Sequence, residues 1–199
     1  MTRRSVLIRL ASAITFLLGT TVPALAQTTG MFVQMSDTHV GKPATYETVE
    51  KMATHKEKVT RIIDEINAVI RPDFVLITGD TISVTDEESA KEFAALLKRF
   101  AVPVYVVPGN HDDGSVRSGW FQKYVGPTRI VIDRKPWYVV AFDGRPLMEN
   151  ENPGELLGWI GTELTKPRES GRALVVASHY RCISRTVGRT PNRRARSSS

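Results

Sequence analysis

The chain is predicted to fold as an α/β domain with much parallel sheet, and three observations carry that prediction. Short apolar runs alternate with stretches of helical hydrophobic period along most of the chain. That strand–helix–strand–helix order is the pattern of α/β domains. Four of the apolar runs also end on residues suited to chemistry: Asp37 and His39, Asp80, Asn110 and His111, and His179. In parallel sheets, sites form just past the carboxyl ends of strands.

Each element follows in order. MFVQM (31–35) reads as a short strand closed by Ser36-Asp37. Met52, Val59, Ile62, Ile63, Ile66, Val69 and Ile70 recur at helical spacing and predict a helix over 47–70, ended by Pro72. FVLIT (74–78) is a buried strand that reaches Gly79-Asp80. Phe93, Ala94, Leu96, Leu97 and Phe100 mark a second helix, and VPVYVV (102–107) is a third strand stopped by Pro108-Gly109. A short amphipathic turn around Trp120 and Phe121 precedes strands expected near 129–132 and 137–142. Leu156, Leu157, Trp159, Ile160 and Leu164 give a third amphipathic helix over 155–164, and 173–178 is a last strand that delivers His179.

The two ends are different in kind. Arg3, Arg4 and Arg9 flank or precede an apolar stretch from Leu10 to Leu18, and Ala24-Leu25-Ala26 is an A-x-A cleavage pattern. Residues 1–26 therefore read as a secretory signal peptide, with an Arg-Arg pair of twin-arginine type, and the chain is expected to be exported to a periplasmic or extracellular setting. The apolar part is too short to anchor it in a bilayer. Residues 181–199 hold six arginines and no acidic residue, without hydrophobic period, and are expected as a basic, disordered tail. The net charge of +6 is concentrated in these two ends, so residues 27–180 are mildly acidic and no nucleic-acid partner is expected. The single cysteine, Cys182, excludes an intramolecular disulfide.

Carboxylate, imidazole and amide oxygen at neighbouring strand ends suit borderline divalent metals such as Mn, Fe, Zn or Co, and there are no thiolate ligands of zinc-finger or iron–sulfur type. In SDTHVG, Asp37 and His39 stand two apart and are expected on the same side of an extended segment. Gly79 would let the backbone turn tightly and hold Asp80 at the mouth of the site, and Pro108-Gly109 would present Asn110, His111 and Asp112 in the same way. Plainer readings exist for each residue. Asp37 or Asp80 alone could cap a turn, Asn110 could form one, and His179 could be a structural strand-end histidine. His55 is expected on a solvated helix face, Asp143 in a turn, and Trp120 and Phe121 in packing.

The ordered set D-x-H (Asp37, His39), G-D (Gly79-Asp80), G-N-H-D (109–112) and the strand-end His179 resembles the calcineurin-like metallophosphoesterase superfamily, over about residues 32–179. The strand–helix layout, the run PVYVVPGNHDD (103–113) and the helix GELLGWIGTEL (154–164) most resemble the cyclic-nucleotide phosphodiesterase-like branch. The resemblance implies an α-β-β-α sandwich of mixed sheets, incomplete at the C-terminus, over residues 27–180. It also implies two divalent metal ions and a metal-activated hydroxide that attacks a small phosphomonoester or phosphodiester, with cyclic nucleotides among the candidates. Asp37 and His39 would bind one metal, Asp80 would bridge both, and Asn110 and His179 would bind the second. His111 would act as catalytic acid or phosphate contact, with Asp112 orienting its ring. Purple acid phosphatases carry a tyrosine three residues after the bridging aspartate, where this chain has Ser83.

The resemblance breaks after His179. The family's closing G-H-x-H segment has no counterpart, because the only histidines are His39, His55, His111 and His179. A truncated or frameshifted reading is the expectation for the tail, with a genuine anion-binding tail as its rival. Each metal would lose one protein ligand, so impaired activity is expected. The alternative is a non-catalytic pseudoenzyme with partial metal binding.

Overall fold

The computed structural model describes residues 29–43, 48–166 and 172–180. The expected leader over 1–26 and the basic tail over 181–199, with Cys182, lie outside the described residues.

Two three-stranded sheets form the centre. In the first, β1 (Phe32–Met35), β2 (Phe74–Thr78) and β3 (Val104–Val107) run parallel in that order. In the second, β4 (Arg129–Arg134) pairs antiparallel with β5 (Trp137–Phe142), and β5 pairs parallel with β6 (Ala173–Ala177). The connections after β1 and β2 are made by helices α1 (Val49–Glu65) and α2 (Glu87–Leu97). Short helices α3 (Asp113–Arg117), α4 (Trp120–Tyr124) and α5 (Arg145–Met148) follow strand ends or loops, and α6 (Pro153–Thr165) returns the chain to β6.

The alternation of side chains along β2 explains the layering. Phe74 and Leu76 face the second sheet and pack with Val107, Ile132, Val139 and Ala141. Val75 and Ile77 face the other way, into a core with Val59, Ile63, Phe93 and Leu96 from α1 and α2. A strand covered on both faces needs no polar alternation, which is why FVLIT is buried throughout and apolar up to its last residue, Thr78. The outer face of the second sheet, Tyr138, Val140 and Phe142, is covered by Leu156 of α6 with Trp159 and Ile160. The four layers are thus helix, sheet, sheet, helix, the α-β-β-α order expected.

Element ends depart from expectation where local chemistry intervenes. Helix α1 widens into a π-helical turn over Ile66–Ile70 and ends at Arg71 in left-handed backbone. That change of period leaves Val69 73% exposed although it follows the helical spacing of the buried Ile63 and Ile66. Helix α2 begins earlier than its apolar residues suggest, because the Asp86 carboxylate accepts from Ser89 N at 2.7 Å and caps it.

Candidate metal centre

Because β1, β2 and β3 are parallel, the loops that follow them leave from one edge of the sandwich. The first two loops continue side by side. Asp37 N donates to Gly79 O (3.0 Å), His39 N to Asp80 O (3.1 Å) and Val40 N to Thr81 O (3.0 Å). Asp37, His39 and Asp80 all adopt positive φ, at 58°, 44° and 53°. Left-handed backbone costs any residue that carries a β-carbon, Asp and His less than most, and the flanking hydrogen bonds hold it in place. The expectation of an extended Asp37–His39 segment is therefore corrected. The two side chains still converge, with His39 Nε2 3.8 Å from Asp37 Oδ1, because the left-handed turns bury Thr38 between them. The Thr38 hydroxyl is satisfied by Thr81 O at 3.0 Å.

The third loop crosses over the second. Gly109 approaches Gly79 so closely that a β-carbon on Gly79 would lie 2.6 Å from Gly109 Cα. Asn110, His111 and Asp112 form one 3-10 turn, and His111 N donates to Asp80 Oδ1 at 2.9 Å. The His111 ring meets the His39 ring edge-on, with centroids 4.7 Å apart. From the second sheet, β6 delivers His179 to the same place, where its Nδ1 lies 2.9 Å from Thr78 O.

Five of the predicted residues and His111 thus surround a small volume. His39 Nε2 is 3.7 Å from Asp80 Oδ2, and His179 Nε2 is 3.4 Å from Asp80 Oδ1 and 3.1 Å from Asn110 Oδ1. Two donor groups result, His39–Asp80–His111 and Asp37–Asp80–His179, each with ligand atoms within 4.8 Å of one another. Asp80 belongs to both. Its side chain is 7% exposed and that of Asp37 is 55% exposed, so the centre has a buried wall and an open mouth.

The donor set fits a divalent cation on two counts. Among the described residues, Asp37 and Asp80 have no lysine or arginine partner; their ion-pair partners are His39 and His179. In addition, a His179 ring that donates Nδ1–H to the Thr78 carbonyl presents a lone pair at Nε2 in its neutral form. That lone pair meets two further acceptors, Asn110 Oδ1 and Asp80 Oδ1. A metal ion or a protonated ring makes such a convergence favourable, and a carbonyl-anchored imidazole is the usual arrangement for a metal ligand.

Two expectations are corrected by neighbours far away in sequence. The carboxylate of Asp112 does not orient the His111 ring; it accepts from Gly109 N (2.8 Å), Thr81 N (3.1 Å) and the Thr81 hydroxyl. Burial pushes its pKa above the ordinary carboxylate value, and the charge of Asp80 adds to the rise against the pull of these donors. His55 is not a solvated surface residue. It is half-buried, with Nδ1 3.3 Å from the carbonyl oxygen of His39. Ser83, in the position of the purple acid phosphatase tyrosine, donates to that same carbonyl at 3.2 Å.

The expectations for Asp143 and Phe121 hold. Asp143 accepts from Arg145 N at 2.9 Å in a turn after β5, and burial raises its pKa with help from Asp112. Phe121 is packed in the core between the first sheet and its helices. Tyr180, just beyond His179, was not singled out from the sequence. Burial and the nearby Asp143 push its phenol up to about 12, so it stands beside the centre as a protonated hydroxyl.

Comparison with known proteins shows what the chain as a whole is similar to. The family model described as calcineurin-like phosphoesterase matches residues 30–189. A probable glycerophosphodiester phosphodiesterase GpdQ from Arcobacter nitrofigilis is 36% identical over 146 residues, covering 67% of this chain and 51% of that protein. The 3',5'-cyclic adenosine monophosphate phosphodiesterase CpdA of Haemophilus influenzae is 32% identical over 82 residues, or 40% of this chain and 29% of that protein. The matches thus span about half or less of these relatives' length. The purple acid phosphatase PPD1 from yellow lupin (Lupinus luteus) seeds superposes with a TM-score of 0.54 at 14% identity, covering 74% of this chain and 29% of that one, which is a likeness of fold.

Proposed function

The chain belongs to the calcineurin-like phosphoesterase family, and from that premise we propose that it hydrolyses small phosphodiesters, with phosphomonoesters as lesser substrates. The observation that carries the reading is the position of Asp80. It is a buried carboxylate shared by two donor groups, with no lysine or arginine partner among the described residues. Such a group is suited to bridge two divalent ions, of manganese, iron, zinc or cobalt type. Asp37 and His39, 3.8 Å apart, would hold one ion on the open side, and Asn110 and His179, 3.1 Å apart, the other; Asp37 is also within reach of His179, so this partition cuts across the two donor groups. When bound, a metal pair of this kind supplies a hydroxide nucleophile at neutral pH and neutralises charge on the phosphoryl oxygens.

The protein's own groups set the geometry for that chemistry. The left-handed turns at Asp37, His39 and Asp80 fix where each ligand atom points before substrate arrives. Thr78 O holds the His179 ring by its Nδ1, leaving Nε2 to face the centre. His111 has its backbone tied to Asp80 and its ring edge-on to that of His39, where its imidazole would protonate a departing alkoxide. The names of the two curated relatives, both phosphodiesterases, support diesters over monoesters, cyclic nucleotides and glycerophosphodiesters being the first to try.

The test is hydrolysis of a chromogenic phosphodiester and the matching monoester by the full chain with added Mn(II), beside Asp80→Ala. The expected result is faster turnover of the diester, reduced by about a hundredfold or more in the variant. Equal turnover by Asp80→Ala would sink the proposal.

A further inference from the structure

The buried carboxylate of Asp112 has no place among the ligands or the reacting groups, yet its partners lie in two of the three ligand-bearing loops that follow the first sheet. It is 0% exposed. One oxygen accepts from Gly109 N, the residue before Asn110, and both lie within reach of Thr81 N, the residue after Asp80. The Thr81 hydroxyl donates to it as well. Thr81 is itself tied to the first loop, since its carbonyl accepts from Val40 N and from the Thr38 hydroxyl, each at 3.0 Å. A single side chain therefore links, through Thr81 and Gly109, the backbone that carries Asp37 and His39, the backbone that carries Asp80, and the backbone that carries Asn110 and His111. Burying a carboxylate is costly unless it is well hydrogen-bonded, and every donor that satisfies this one comes from a loop of the centre.

We propose that Asp112 is a positioning residue of the metal centre, which holds Asp80 and Asn110 at ligating separation through Thr81 and Gly109. The inference rests on the metal-binding reading above. It assigns Asp112 a role separate from proton transfer by His111. Gly79 and Gly109 complete the device, because they let the two loops touch with no side chain between them. Loss of the Asp112 link would leave the fold standing on its three apolar cores while loosening the spacing of the ligands.

The experiment measures the Mn(II) dissociation constant of the full chain from the electron paramagnetic resonance signal of free Mn(II), with melting temperature and kcat and KM recorded in parallel. The variants are Asp112→Asn, Thr81→Val, and Leu156→Ala as a core-weakening control in the separate core on the outer face of the second sheet. Asp112→Asn places an amide donor against the N–H groups and is expected to weaken Mn(II) about tenfold or more. Thr81→Val removes only the hydroxyl donor and is expected to weaken it about threefold. Leu156→Ala is expected to lower the melting temperature with Mn(II) affinity unchanged, and the loss in Asp112→Asn is expected in kcat more than in KM. An Mn(II) affinity in folded Asp112→Asn within twofold of wild type would overturn the inference. If Asp112→Asn does not fold, Thr81→Val decides: threefold weakening supports the link and an unchanged constant overturns it. A wild-type chain that takes up no Mn(II) would overturn the proposed function and this inference with it.

Discussion

A methyl group placed on Gly79 would lie 2.6 Å from the Cα and N of Gly109, at a residue whose φ of 83° already disfavours any side chain. The G-D pair is thus a steric requirement before it is a chemical one. Gly79→Ala is expected to destabilise the fold by about 2–4 kcal/mol, from left-handed strain together with overpacking against backbone. A urea midpoint within error of wild type would contradict this. At this scale the sequence was legible where chemistry follows a strand directly. Asp37, His39, Asp80, Asn110, His111 and His179 each come within four residues of a strand end, and all are brought together. Asp112 and His55 were misread because their partners are distant in sequence, Thr81 at 31 positions and His39 at 16. His55 sits among charged residues, which suggested solvent, and only the packing of α1 against the first loop turns it inward.

Between elements, the contact of α2 with α4 shows how a surface link can be read by pH. Glu87 accepts from the Tyr124 hydroxyl, and Lys123 and Lys91 each stand 3.3 Å away. The Tyr124 hydrogen bond, with the two lysines, holds the Glu87 carboxyl down at about 2, against an ordinary value of 4.5. A lowered folded-state pKa stabilises the protein above the ordinary value, and that contribution is lost as pH falls from about 4.5 towards 2. Wild type is therefore expected to be more stable than Glu87→Gln at neutral pH, the gap closing through this window. Urea titrations of both proteins across it measure the effect, and a gap independent of pH would contradict the assignment. The helical and strand periods gave the long elements, α1, α2, α6 and the six strands, because each turns an apolar face to a core, although β6 leaves Leu174 and Val176 exposed. The short helices α3, α4 and α5 carry five residues or fewer, too few for a hydrophobic period to register. The π-helical end of α1 had no signal beyond an apolar spacing that continued unchanged.

For the molecule as a whole, the sandwich is a means of bringing ends together. The parallel first sheet aligns three loops, and β6, parallel to β5, adds His179 from the opposite layer. This convergence was inferable from strand order, whereas the antiparallel pairing of β4 with β5 and the seating of one sheet on the other were set by packing that no local pattern displays. The central claim is that the shared edge holds divalent cations through Asp80. Calorimetric titration of the full chain with Mn(II), beside Asp80→Ala, tests it most directly. The account predicts saturable uptake approaching two ions per chain in wild type, and a loss of affinity of about a hundredfold or more in the variant. Uptake of Mn(II) by Asp80→Ala with the affinity and stoichiometry of wild type would contradict it.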